Sequence, residues 1–463
     1  GDVMATYSKK ITEEFTLGAV AGYTAQRETI QRLDRSTNSG LSTENMFDIS
    51  ASVNTPNSGS SRSELVKDAF FGTLNLDYKG YLFVEGTVRR DRTSTMNPNN
   101  NAFVYPSINA SFLFSEAFTM PDFIDYGKIR ASWGIVGNYP DLYSANIAYN
   151  QSTLGVQAVG GNPVLYTTLP NSMGNDGIRP EEKHEYEFGV EMNFFKNRLG
   201  VDLSYFNAEI VDQILPLTTA STTGASSVLT NIGTLQNSGF EGSIRGVPVQ
   251  TKNFKWETTL NFAKYHNEVK KLTDGANELL HADYDGSAAQ LRSIVGQPMG
   301  DIYSHPVLQH ANGGLVVDEN GLYRVDENKW VKVGNAMPKA TGGFLNTFTY
   351  KSISLDVVMD YRFGGHIMPT AINWMISRGL LTDALDKRDA ESGGLAYYVD
   401  ASDVKTLTQQ AQGPNGELVY HDGRILEGVK ADGTKNDYVA SSMDYYFNVY
   451  NWGGPQYSPN TRY

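Results

Sequence analysis

The sequence predicts an all-β chain, a transmembrane antiparallel β-barrel with long extracellular loops. Three observations lead there. Apolar and polar residues alternate with period two over stretches of about ten residues, where helical periodicity is scarce. The stretches come in pairs joined by tight turns. Short and long connections then alternate strictly along the chain.

The elements follow in order. After a short opening strand near Val3 to Tyr7, Phe15, Leu17, Ala19, Ala21, Tyr23 and Ala25 share one face. Phe70, Leu74, Leu76 and Tyr78 oppose Thr73, Asn75 and Asp77; Lys79-Gly80 turns the chain, and Leu82, Val84 and Val88 return it against Glu85, Thr87 and Arg89. Ile108, Ala110, Phe112 and Phe114 continue the pattern, and Ile129, Ala131, Trp133 and Ile135 face away from Lys128, Arg130 and Ser132. Tyr186, Phe188, Val190, Met192 and Phe194 stand opposite Glu185, Glu187, Glu191 and Asn193. The turn at Lys196-Asn197 leads to Leu199, Val201, Leu203 and Tyr205, backed by Asp202 and Ser204. Strands over 240–246 and 254–262 precede a last hairpin, 344–350 and 353–361, joined at Lys351-Ser352, which brings the expected count to twelve.

Short turns fall near 8–14, 79–80, 115–127, 196–197, 247–253 and 351–352, and long connections at 27–68, 91–104, 137–183, 209–236, 265–340 and 363–463. If consecutive strands are antiparallel neighbours, all short turns lie at one end and all long loops at the other. A Greek-key sandwich spreads its long loops over both ends; an outer-membrane barrel keeps short periplasmic turns and long outer loops. Backbone polar groups in lipid must all be paired, which a closed sheet does without edges. Arg89, Arg130, Glu185, Glu187 and Asp356 then line a wet lumen, and Tyr23, Tyr78, Tyr205, Tyr265, Tyr350 and Tyr361 mark the interfacial girdles. The whole of 1–463 reads as part of one barrel domain with its loops.

Composition agrees. The 463 residues contain no cysteine, which excludes a disulfide scaffold, thiolate metal sites and cysteine catalysis. With 51 acidic against 38 basic residues, the net charge of -13 excludes nucleic acid as a partner. Only 19% of residues are charged, below the roughly 25% of a soluble domain. Length alone suggests about three domains, a figure the strand parity replaces with one barrel and its loops. The longest apolar run, Leu395 to Val399, is far short of the roughly 20 residues a membrane helix needs. No signal peptide is expected in this stretch, and a start so close to a strand suggests an excerpt of a longer protein.

Catalytic motifs are absent: no phosphate-binding Gly-rich Lys-Ser/Thr loop, no HExxH, no GxSxG. His281, Asp283, Asp285 and Gly286 imitate a calcium loop, but Arg292 holds the position of the bidentate Glu, so a surface turn is expected. The seven histidines show no metal spacing, and Glu181-Glu182 reads as a solvated rim. No enzyme activity and no cofactor are expected. Aromatic residues in the long loops suit ligand contact, since flat rings stack on sugars and apolar peptide groups: Tyr139, Tyr143, Tyr303, Trp330, Trp374, Tyr445, Tyr446 and Trp452 are the candidates. Tyr149, Tyr166, Tyr397, Tyr398 and Tyr450 belong to the same class, and the alternative is that such rings pack the loops into compact caps.

Several segments carry a likeness. Tyr81-Leu82-Phe83 running to Val88-Arg89-Arg90-Asp91, Tyr105-Pro106-Ser107, and Lys128 to Gly134 ending in Val136-Gly137-Asn138 come in order. Arg179-Pro180-Glu181, Asn237-Ser238-Gly239-Phe240-Glu241, Gly296 to Gly300 and Thr341-Gly342-Gly343-Phe344 follow. Over 70–365 the chain resembles the barrel of SusC/RagA TonB-dependent outer-membrane transporters.

The resemblance implies a 22-stranded barrel in the outer membrane of a Bacteroidetes-like Gram-negative cell, an N-terminal plug and energy from the TonB complex. It also implies a SusD-like surface lipoprotein as lid and an oligosaccharide or oligopeptide as cargo. The chain departs from the family in showing no plug, no TonB-binding segment and about half the strands, and Ser458 to Tyr463 do not alternate. Contact with TonB would run through the missing plug region. The competing readings are a passive porin or adhesin barrel and an extracellular carbohydrate-active all-β protein.

Overall fold

A computed structural model describes residues 1–146, 149–154, 164–218, 222, 224–273, 275–284, 289–368 and 370–450. The chain falls into two compact units, Gly1–Gly275 with Gly342–Asp360, and Ala276–Thr341 with Tyr361–Tyr463. A single twelve-stranded sheet dominates the first. Its strands are β1 (Asp2–Lys10), β2 (Phe15–Leu41), β3 (Ser52–Tyr78), β4 (Leu82–Thr93), β5 (Ala102–Phe112) and β6 (Ile124–Asn138). After them come β7 (Glu181–Phe194), β8 (Leu199–Val211), β9 (Gly233–Gln250), β10 (Phe254–Leu272), β11 (Ala340–Tyr350) and β12 (Ile353–Phe363). Their spatial order is their chain order, and the first ten pair antiparallel throughout. Every predicted strand is present.

Alternation sorts side chains onto two faces because successive Cβ atoms point to opposite sides. On one face the register aligns Ile129 with Val190 and Val190 with Leu203, and Phe188 with Tyr205, whose ring lies 5.0 Å from that of Phe240. These apolar side chains are left uncovered: Leu74 is 55% exposed, Phe188 56% and Leu355 60%. A continuous apolar face of this kind is what lipid, not water, covers. Along its short-turn border, Phe15 packs on Tyr78 at 4.6 Å, Tyr78 on Tyr81 at 5.5 Å and Tyr81 on Phe112 at 5.9 Å. Tyr265 differs from the girdle expectation. It pairs with Gly239, which pairs with Phe206 and so with Glu187, placing its ring on the polar face, where Gly239 leaves room for it.

The short connections are tight. Lys79 and Gly80 have φ of 53° and 71°, the left-handed pair that matches a two-residue hairpin to the strand twist. The long connections are shorter than the sequence suggests. Residues 27–68, expected as a loop, are mostly ladder: β2 and β3 keep unbroken register from Phe15–Tyr78 to Ser36–Asn57, leaving 42–51 as the connection. The apolar signal ends near Ala25 because beyond it both faces of the ribbon are solvated, yet the backbone pairing continues. Likewise 91–104 narrows to 94–101, and β10 runs on to Leu272.

In the first unit, connections 137–183 and 209–236 meet through Ser227–Asn231, which pairs antiparallel with Ile214–Thr218 and parallel with Ser172–Met173. The enclosed core lies here: Met96, Phe103 and Ile178, with Tyr105, Tyr139, Ile214 and Leu229 packed on them. The second unit holds two four-stranded sheets. One is built in order from Glu278–Tyr284, Ala289–Ile294, Asp301–Ser304 and Val331–Asn335; the other sets Leu395–Val399 between Lys405–Leu407 and Val419–Arg424, with Ala440–Ser441 beyond. Helices Thr370–Ser377 and Ser442–Tyr450 pack around Ile376, Ala384 and Tyr446. Among the described residues no helix is long and apolar enough to cross a membrane.

The two faces differ in what they tolerate. In the full-length protein, Leu74→Arg on the apolar face should destabilise the inserted state by about 2–4 kcal/mol, whereas Thr73→Arg, one residue away on the polar face, should be near neutral. Heat-modifiable mobility and urea unfolding in lipid vesicles compare the two.

Candidate functional site

The polar face gathers charge at its centre. Arg130 on β6 holds Asp202 on β8 at 2.8 Å and Glu187 on β7 at 3.5 Å. Lys128 stands 3.9 Å from Glu191. Arg130 and Asp202 are two strands apart, and Gly189 between them makes the bridge feasible: a Cβ at that position would come within 2.5 Å of the Arg130 guanidinium. Toward β3, Asn109 donates to Glu85 at 3.3 Å, and Thr87 and Ser107 share a hydrogen bond of 2.6 Å. The face frames a cavity of about 480 Å³ lined by Asn75, Asp77, Glu85, Asn109, Lys128 and Arg130, among others.

The other expected wall residues are spread along the same sheet. Arg89 pairs with Asp91 at 2.5 Å and lies over the Phe71 ring. Glu185 is paired with Lys183. Asp356 on β12 accepts from Thr347 at 2.6 Å. So the sheet brings Arg130 and Glu187 together and leaves Arg89, Glu185 and Asp356 with local partners. Asp202, Lys128, Glu191 and Glu85 complete the cluster, although alternation alone marks them only as polar-face residues. The turn at 196–197 was the available signal, because closing it places Asp202 opposite Glu191. At the loop end Glu181 accepts from Asn138 at 2.7 Å and from the Ile214 amide at 3.1 Å, while Glu182 pairs with His184 at 2.9 Å.

The aromatic candidates divide. In the first unit Tyr139 is packed in the loop core with Lys67 4.4 Å from its ring centre, and Tyr143 is exposed, its hydroxyl accepting from the Glu64 amide at 3.1 Å. In the second unit Tyr303 and Trp330 come together: Arg292 lies 5.4 Å from the first ring and 4.5 Å from the second, and His305 sits 3.8 Å from Trp330. Trp374, 48% exposed, and Phe447 hold Arg378 between them at 5.5 and 4.8 Å. Tyr445 and Tyr446 cover the buried Arg424 at 4.1 and 4.8 Å, and the Tyr446 hydroxyl donates to the Asp383 carbonyl at 2.6 Å. Trp452 lies outside the described residues. Arg292 and Arg424 reach their rings from separate loop segments, which no local period records, whereas Arg378 stacks on Trp374 one helical turn before it. Among the described residues no group of His, Asp or Glu is arranged to hold a metal ion.

Residues 4–379 match the family model described as TonB dependent receptor-like, beta-barrel. The chain belongs to that family, and it is an outer-membrane β-barrel protein. It is 25% identical over 411 residues to the TonB-dependent receptor P39 of Formosa agariphila, an alignment covering 78% of this chain and 39% of the relative. With the TonB-dependent receptor SusC of Bacteroides thetaiotaomicron it shares 25% identity over 283 residues, 56% of this chain and 27% of SusC. The fold is similar to the RagAB peptide transporter structure, with a TM-score of 0.66 and 19% identity over 84% of this chain and 42% of the other. The SusC/RagA likeness read from the sequence is thereby met, and the chain spans about two fifths of the curated relatives it matches over most of its length.

Two measurements check this geometry. A double-mutant cycle on Arg130→Gln and Asp202→Asn should give a coupling of about 0.5 kcal/mol, small because both side chains are part-exposed, and Gly189→Ala should abolish it by pushing the guanidinium aside. Tyr397 in the second unit is buried and donates to Asp422 at 3.1 Å; burial first, then the neighbouring carboxylate, raises its phenol well above the ordinary value near 10. Its folded pKa exceeds the unfolded one, so its contribution is complete below pH 10 and fades as pH rises beyond it. Hydrogen exchange of Leu395–Val399 should therefore quicken in alkali, and Tyr397→Phe should flatten that response.

Proposed function

We propose that the whole protein imports a nutrient, an oligosaccharide or oligopeptide, across the outer membrane with energy from the TonB complex. A SusD-like lipoprotein closes its outer mouth. The observation that carries this reading is the division of the sheet: a bare apolar face toward lipid, and behind it a charged wall centred on Arg130, Glu187 and Asp202, with every elaborated connection at one end. Such a wall offers a translocating solute alternating donors and acceptors and no deep trap at its centre, where Arg130, Glu187 and Asp202 neutralise one another.

In this reading residues 1–463 belong to one barrel domain and its extracellular loops. Arg89, Arg130, Glu185, Glu187 and Asp356 line the lumen, and the loop aromatics Tyr143, Tyr303, Trp330 and Trp374 meet the cargo. The relatives are named as receptors, and one solved neighbour as a peptide transporter; no covalent chemistry is assigned to any residue. TonB pulling on a plug would open the path along the polar wall.

Replacing 276–339 by a short Gly-Ser turn in the full-length protein should abolish uptake or lid association while the barrel still inserts, judged by heat-modifiable mobility. Uptake at the original rate with an inserted barrel would overturn the role given to the loops.

A further inference from the structure

We propose that a column of arginines on the lipid side of β2, β3 and β4 binds the phosphates of an outer-leaflet glycolipid. Import of a cargo plays no part in this inference. At the loop end of the apolar face the Tyr23 ring lies 4.6 Å from that of Phe70, and the register sets Arg90 opposite Phe70 on the same face. From Leu82 beside the short turn to Arg90, β4 runs about 26 Å and at the usual tilt climbs about 20 Å, most of the roughly 25 Å of an apolar band. Arg90 therefore stands where acyl chains give way to headgroups. Beyond it the same face turns basic, with Arg92 opposite Asp68, Arg27 opposite Val66 and Arg62 opposite Gln31, all in unbroken register with Phe70.

The charges of the column are tied to one another. Arg92 holds Asp68 at 2.8 Å, and Glu64 holds Arg27 at 2.6 Å and Arg62 at 3.5 Å. With Arg90, four guanidiniums stand against two carboxylates, a surplus of two positive charges in a chain whose net charge is -13. The carboxylates lie deeper: the Asp68 and Glu64 side chains are 12% and 31% exposed, those of Arg92, Arg27 and Arg62 54%, 66% and 62%. Each carboxylate thus orients its arginines from below and leaves the rest of their five donors facing outward. The surplus belongs to the lipid side alone, for on the other face of the ribbon Arg32 is paired with Asp34 at 2.8 Å and Glu28 adds a further negative charge. All four cations are arginine, whose planar fork takes two phosphate oxygens at once. Their spread sets the size of the ligand. From Phe70, level with Arg90, to Arg62, β3 runs about 26 Å, whereas the headgroup layer of an ordinary bilayer is about 5–8 Å deep in each leaflet. A plain phospholipid reaches only Arg90 and Arg92, and a lipid with a phosphorylated sugar headgroup reaches the whole column.

The probes are a fluorescent lipopolysaccharide with a phosphorylated core, the same molecule after phosphatase treatment, and phosphatidylglycerol, each titrated into the full-length protein in neutral detergent. The phosphorylated glycolipid should bind tightest, and its affinity should fall as salt screens the exposed charges. Arg90→Gln should weaken it about tenfold, the effect of losing one charge-assisted hydrogen bond. Arg62→Gln should weaken the glycolipid and leave phosphatidylglycerol unchanged, because a short headgroup does not reach that level. Arg32→Gln, on the opposite face of the same ribbon, should change neither. Heat-modifiable mobility checks that every variant keeps its barrel. Equal affinity after dephosphorylation, equal affinity for phosphatidylglycerol, or a loss with Arg32→Gln as large as with Arg90→Gln would overturn the proposal.

Discussion

The fold depends on one constraint, that a sheet in lipid must pair its whole backbone and present a dry outer face. Period-two alternation satisfies both requirements at once, because the strand that completes the hydrogen-bond ladder also sends every second side chain outward. In this chain the consequence is visible in the inversion of the usual burial pattern. Phe188, Phe240 and Leu355 are among the more exposed residues, while the enclosed core is the small loop cluster around Phe103 and Ile178. The sheet is therefore held by its ladder and by lipid, and among the described residues the buried hydrophobic clusters belong to the loops and strand ends.

The opposite face converts the same alternation into a charged surface. Around Arg130 the charges meet across strands, Arg130 with Glu187 and Asp202 and Lys128 with Glu191, whereas Arg89 with Asp91 and Lys183 with Glu185 pair along one strand. Arg130 uses this geometry further than a pairwise contact allows. It crosses Gly189 to reach Asp202, so a residue with no side chain decides which ion pair forms. Glycine in a strand is ordinarily a weakness, and at this position it is what opens the wall to a two-strand bridge.

The twelve strands, their order and their turns were legible because each of them satisfies the lipid constraint, and that constraint leaves a period in the sequence. The ribbon beyond Ala25 and before Lys67 was not, although its pairing is unbroken as far as Ser36 and Asn57. With water on both sides, Gln31, Arg32, Ser60 and Ser61 meet no requirement that would alternate. The site shows the same division. Alternation puts Glu187 and Arg130 on the polar face, and the turn at 196–197 sets Asp202 opposite Glu191 on the same face. The partners of Tyr303, Trp330 and Tyr446 are not marked in this way, because Arg292 and Arg424 reach them from other loop strands and no local period records such a meeting.

That difference bears on how the loops hold shape with no cysteine. In the second unit Asp301 is 1% exposed and holds Lys332 at 2.7 Å and Asn335 at 2.6 Å, joining two strands from inside. Arg424 is 5% exposed, donates to the Asp386 carbonyl at 2.7 Å and to Ser442 at 3.1 Å, and is roofed by Tyr445 and Tyr446. Each buried charge ties neighbouring segments together, and its removal would leave part-buried or buried partners such as Asn335 and Ser442 without their hydrogen bonds, which costs more than the bond contributes. Polar anchors of this sort fix one arrangement of the segments they join, and they leave the outer ring of Trp374 exposed. Rigid frames with exposed aromatic and charged lips are what a binding loop needs, since ordering costs are met in folding and not at the encounter with ligand.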